Sequence, residues 1–148
     1  IDTDRAGLWG VSLGGYYAAR AAAFEKRVKA CITLSGPYNW GAAWENLPKL
    51  TRAAFHARSR AASEAEAFEN ATKLSLEGVA QNITCPLFVL AGKLDRIVPY
   101  TDAERLASET SGPVELLVVE DGNHIANNRP YRYRAQSADW MAAQLGAG

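Results

Sequence analysis

Histidine is scarce in this chain of 148 residues: only His56 and His124 are present, with two cysteines, Cys31 and Cys85, and a single methionine. Histidines and cysteines so few and so far apart make no cluster of metal ligands, so no metal site is expected. Both cysteines lie in or beside apolar runs. This reads them as small reduced core residues of a cytoplasmic protein and not as a disulfide. Net charge is absent as well, because 16 lysines and arginines are balanced by 16 aspartates and glutamates. That balance removes the electrostatic argument for a nucleic acid or an anionic membrane as partner. No apolar run approaches the roughly 18 residues of a membrane span, and no signal-peptide pattern heads the chain. An initial methionine is also lacking. The chain begins Ile1-Asp2-Thr3-Asp4-Arg5, and the expectation is that the amino-terminal part of a longer protein is missing.

What is present fits one globular domain. Hydrophobic residues make up 48% and charged residues 22%, an ordinary balance for a chain long enough to bury a core. Four apolar runs read as strands: Ala6 to Trp9, Val28 to Leu34, Leu87 to Ala91 and Val114 to Val119. Helical patterns lie between them. One runs from Tyr16 to Phe24 and another from Tyr100 to Thr110, with Thr101 and Asp102 as its cap residues. A last amphipathic helix has Pro130 in its first turn and Leu145-Gly146 at its end. Residues 38–85 carry no strand pattern. They read as a helical insertion between the second and third strands, with one helix around Pro48 to Arg60 and a second opening at Ser63, where Glu66 stands at capping-box spacing. Strands alternating with helices imply an α/β fold: a mostly parallel sheet of about four strands, right-handed crossovers and flanking helices.

In such sheets the ligand site lies beyond the carboxyl ends of the strands. The first strand runs into Gly10-Val11-Ser12-Leu13-Gly14-Gly15 and then an alanine-rich helix. A serine on a sharp turn between strand and helix is held in a strained conformation with its hydroxyl exposed. Gly10 and Gly14 are expected where a Cβ would collide between strand and helix. The Leu13 amide, at the helix start, would stabilise an oxyanion, helped by the positive end of the helix dipole. After the third strand comes Gly92-Lys93-Leu94-Asp95-Arg96-Ile97-Val98-Pro99, and after the fourth Asp121-Gly122-Asn123-His124. Ser12, Asp95 and His124 therefore fall on one sheet edge. His124 would take the Ser12 proton and return it to the leaving group, while Asp95 would orient the imidazole. Asp121 is the substitute acid. His56, among Arg52, Arg58 and Arg60, reads as solvated helix surface. Tyr38, Trp40 and Trp44 follow the second strand, where they either line an apolar substrate pocket or pack into the core.

The order Ser, Asp, His is that of the α/β hydrolases. With the stretch Asp4 to Gly15, the segment Gly92 to Pro99 and the loop Asp121 to His124, the chain resembles the carboxyl-terminal, catalytic half of that fold. It is most similar to the branch holding 2,6-dihydroxypseudooxynicotine hydrolase, a carbon–carbon bond hydrolase, and to prolyl-oligopeptidase-like and fermentation/respiration-switch esterases. The resemblance implies a serine hydrolase that needs no cofactor and acts on an ester, amide or related carbonyl of a small molecule. Two alternatives accompany it: cleavage of a carbon–carbon bond in a β-diketone or aryl ketone with the same triad, and a half-domain without catalysis that serves binding or assembly. It also implies that the second oxyanion donor lies upstream of Ile1. The first strand would then be an open edge that favours a homodimer or association with the missing amino-terminal half.

Overall fold

The computed structural model describes residues 2–146. In chain order the elements are β1 (Ala6–Val11), α1 (Leu13–Phe24), β2 (Val28–Leu34), α2 (Lys49–Ser59), α3 (Glu64–Thr72), β3 (Leu87–Gly92), α4 (Tyr100–Glu109), β4 (Val114–Val119) and α5 (Arg134–Gln144). The strands form one parallel sheet in the order β1-β2-β3-β4. β2 and β3 are central and almost entirely buried, which is why they read as continuous apolar runs and not as alternating ones.

Alternation along the strands divides the core into two layers. Leu87 and Val89 face α1 and α4, where they pack with Tyr16, Ala19, Ala103 and Leu106. Phe88 and Leu90 face the other way, together with Ile32 and Leu34 from β2. That layer is closed by α5, whose Trp140 ring meets Phe88 edge-on at 5.5 Å. A third cluster lies between β2 and β3 in sequence, where Trp40, Trp44 and Leu47 pack against Ala67 and Ala71 of α3. The segment is tied back to itself by backbone bonds from Trp40 N to Leu74 O and from Leu76 N to Tyr38 O, each 2.9 Å.

Local details depart from the sequence reading at three places. β1 extends through Gly10 and Val11, and α1 begins at Leu13, so the turn between them is a single residue. α4 starts directly after Pro99 without a side-chain cap. Asp102 instead accepts the Tyr38 N–H at 2.9 Å, tying the end of β2 to α4. Pro130 lies in a separate short turn, Pro130–Arg132; the extended φ of −137° at Tyr133 breaks the helix there, and α5 follows from Arg134. The expected cap of α3 is present, since the Ser63 side chain accepts the Glu66 N–H at 3.1 Å. Both cysteines are free. Burial, with the neighbouring Cys85 as a lesser cause, pushes the Cys31 thiol up to about 12. No helix among the described residues is long and apolar enough to cross a membrane.

Candidate active site

Ser12 sits at φ 55°, ψ −129°, a left-handed region that strains a residue with a side chain. The surrounding backbone holds it there. Its N–H donates to Leu34 O at 2.8 Å, and its own carbonyl accepts the Gly15 N–H at 2.7 Å. Gly10 is required by the close approach of strand and helix, because a Cβ there would stand 2.0 Å from the Gly14 carbonyl oxygen. Gly14 does not play the part expected of it. A Cβ at Gly14 would meet nothing within 4 Å, whereas one at Gly15 would stand 2.8 Å from the Gly36 Cα. The tight contact is thus between α1 and the segment after β2, and Gly14 faces open space. The Leu13 N–H, in the first turn of α1, has no acceptor within the helix.

His124 arrives from the loop after β4. Its position is fixed by Ile125, whose N–H donates to the Ser35 hydroxyl at 3.1 Å, and by Ala126, whose N–H donates to Asn123 O at 2.8 Å. Nε2 of His124 lies 3.0 Å from Ser12 Oγ, and Nδ1 lies 2.8 Å from Asp95 Oδ2. The Asp95 side chain is fully buried. Its other oxygen accepts the Ile97 and Val98 N–H groups at 2.8 and 3.0 Å. Burial by itself would raise the Asp95 carboxyl, but the His124 bond and the two backbone donors outweigh it, and it lies below its ordinary value. An ionised carboxylate only accepts, so Nδ1 carries a proton, and in the neutral imidazole that leaves Nε2 with a lone pair facing the Ser12 hydroxyl.

Asp121, the alternative acid, is exposed and paired with Arg129 at 2.6 Å; it is engaged away from the imidazole. His56 is partly buried and partly open to solvent, with its Nε2 3.0 Å from Ala61 O, just past the end of α2. Of the three aromatic residues, only Trp40 borders Ser12. A cavity of about 720 Å³ there is lined by Leu13, Gly14, Tyr17, Trp40, Phe55 and Leu74 on its apolar side, with Arg58 and Asn70 at its polar side. Tyr38 is buried under the Arg105 guanidinium, 4.0 Å above its ring, and donates its hydroxyl to Glu109. Burial, then the Glu109 bond, push that hydroxyl up to about 12. Trp44 packs edge-on against Phe55 at 5.8 Å and at a tilt against Phe68 at 5.9 Å. These two rings are core because β2 directs residue 38 beneath α4 and the following turn directs residue 44 between α2 and α3. The sequence reading missed Ser35, Phe55, Arg58 and Asn70. Ser35 left a trace in the turn signal Ser35-Gly36-Pro37, and Arg58 only as one charge of a helix face. On the far side of His124 a second cavity of about 650 Å³ is lined by Leu94, Arg96, Ile97 and Asn123.

A parallel sheet with a serine on a one-residue turn between strand and helix is the architecture of the α/β hydrolases, and this chain has it. The prolyl oligopeptidase family pattern matches residues 1–148, and the chain belongs to that family. It is 32% identical over 150 residues to 2,6-dihydropseudooxynicotine hydrolase of Paenarthrobacter nicotinovorans, an alignment that covers 100% of this chain and 40% of that protein. The chain therefore spans about two fifths of this relative's length. The crystal structure of the 2,6-dihydroxy-pseudo-oxynicotine hydrolase matches at a TM-score of 0.89 and 32% identity, over 100% of this chain and 42% of that one. Acetyl xylan esterase 1 from Thermoanaerobacterium sp. JW/SL YS485 shares the fold at a TM-score of 0.71 and 20% identity, over 98% of this chain and 47% of that one.

Proposed function

We propose that this chain carries the nucleophile, base and acid of a serine hydrolase. One observation carries the reading: the unbroken chain of hydrogen bonds from Asp95 through His124 to Ser12, at 2.8 and 3.0 Å. Ser12 Oγ attacks a carbonyl carbon while His124 Nε2 takes its proton. The oxyanion that forms rests against the Leu13 N–H. His124 then protonates the leaving group as its bond to the carbonyl carbon breaks, leaving an ester on Ser12. A water attacks that ester with His124 again as base, and the acid departs. Asp95 keeps Nδ1 protonated throughout and stabilises the imidazolium.

The substrate class is an ester, amide or related carbonyl compound. The 32% identity to 2,6-dihydropseudooxynicotine hydrolase favours a second reading, in which the carbonyl is an aryl ketone and the bond broken is carbon–carbon. The two free thiols support a cytoplasmic location. The test is labelling with a fluorophosphonate probe, with the modified peptide located by mass spectrometry. Modification at Ser12, lost in Ser12→Ala, is expected. A folded sample that stays unlabelled overturns the reading and leaves a binding or assembly role. Product analysis on aryl esters and aryl β-diketones then separates ester from carbon–carbon cleavage.

A further inference from the structure

The cavity beside Ser12 has an accounting of polar groups that the mechanism does not use. Its wall is apolar and aromatic, from Leu13, Trp40, Phe55 and Leu74. Among its polar members, the Ser59 hydroxyl already donates to His56 O at 3.1 Å. Asn70 Oδ1 accepts from Lys73 Nζ at 2.9 Å, which leaves the amide nitrogen as the end with hydrogens to give. Arg58 has no carboxylate partner among the described residues. Arg52, on the same helix, pairs with Glu45. No aspartate or glutamate lines the cavity. Thr51 and Tyr17 add hydroxyls that can give or accept, so the one charged group on the cavity is the Arg58 guanidinium, a donor with a full positive charge beside an apolar wall.

We propose that this cavity selects an acyl group with an apolar body ending in a carboxylate, with Arg58 as the residue that recognises the charge and Asn70 as a second donor. The inference rests on Ser12 being the nucleophile and names the substrate class for that site. A guanidinium matches a carboxylate in geometry and charge, and a bond between charged groups is roughly twice as strong as a neutral one.

The experiment compares two para-nitrophenyl esters on the protein. One is the monoester of glutaric or adipic acid; the other has its free carboxylate replaced by the isosteric neutral carboxamide. The readout is the ratio of kcat/KM for the anionic to the neutral ester. Both rates come from one preparation, so loss of folded material cancels. A ratio of about tenfold or more is expected, from the strength of a hydrogen bond to a charged group. Arg58→Gln should bring the ratio close to one, Arg58→Lys should keep part of it, and Lys49→Gln, an equal charge change on α2 outside this cavity, should leave it unchanged. Salt at about 1 M, where the Debye length is about 3 Å, should lower the ratio. Ser12-dependent hydrolysis that ignores the charge, or a ratio that survives Arg58→Gln, overturns the inference alone. Hydrolysis of neither ester, or hydrolysis that survives Ser12→Ala, overturns the nucleophile reading and the inference with it.

Discussion

Helices α1 and α2 border the same cavity and are built in opposite ways. α1 buries Gly15, Tyr16, Ala18, Ala19, Ala22 and Ala23 against β1 and β2, and its first turn holds Ser12 and the Leu13 amide. α2 has no buried residue, and Leu50 on it is 82% exposed. Ser12 and the Leu13 amide, the reacting groups of the proposed mechanism, thus stand on an element that cannot shift without opening the core, while the wall opposite them stands on a helix with no buried residue. A nucleophile needs its geometry fixed to a fraction of an ångström. A substrate wall tolerates variation, and a lightly packed helix can change its side chains at small cost to stability.

The largest effect expected from this contrast is at the elbow. Ser12→Ala should lower kcat by about 10⁶-fold, as the loss of a nucleophile does in a concerted triad, with the thermal midpoint little changed; steady-state kinetics beside calorimetry would check both. Asp95→Asn should lower kcat by about 10⁴-fold because the wrong imidazole tautomer is then favoured. Asp121→Asn, which loses only an exposed ion pair, should stay within about twofold. A large loss in Asp121→Asn would break the assignment of the acid.

Asp95 also makes a pH prediction. Its folded value lies below the ordinary 3.8, so the fold favours the ionised form. The stability this contributes is fully present above the unfolded value and disappears as pH falls through the folded one. Urea midpoints followed downward from neutral pH should therefore fall more steeply for the native chain than for Asp95→Asn.

Smaller effects test the packing side of the contrast. Gly15→Ala should cost roughly 1–3 kcal/mol, since the new Cβ meets backbone that has to move, whereas Gly14→Ala should leave the unfolding midpoint nearly unchanged. Denaturant titration of the pair separates the two glycines. Smallest of all, Leu50→Ser on α2 should alter stability by no more than about 0.5 kcal/mol. A larger loss there would mean that α2 is anchored in a way its exposure does not reveal.

The chain's own pattern was enough for the strands, their parallel direction and the three residues that meet at the sheet edge. Each strand is a short apolar run, and each candidate residue stands a few positions beyond its end, so topology alone brings them together. Some features depended on what another segment does. Gly14 and Gly15 are neighbours in sequence with the same chemistry, and only the approach of Gly36 assigns the tight contact to Gly15. Tyr38 and Trp44 have the composition of pocket residues, yet the crossing of α4 and the seating of α2 on α3 turn them into core. Arg58 and Asn70 belong to helices whose faces the sequence marks only as polar. Periodicity is a local property and fixes which residues can share a face. Which face meets which cavity is settled by packing between segments far apart in the chain, and that information exists only once the tertiary structure has formed.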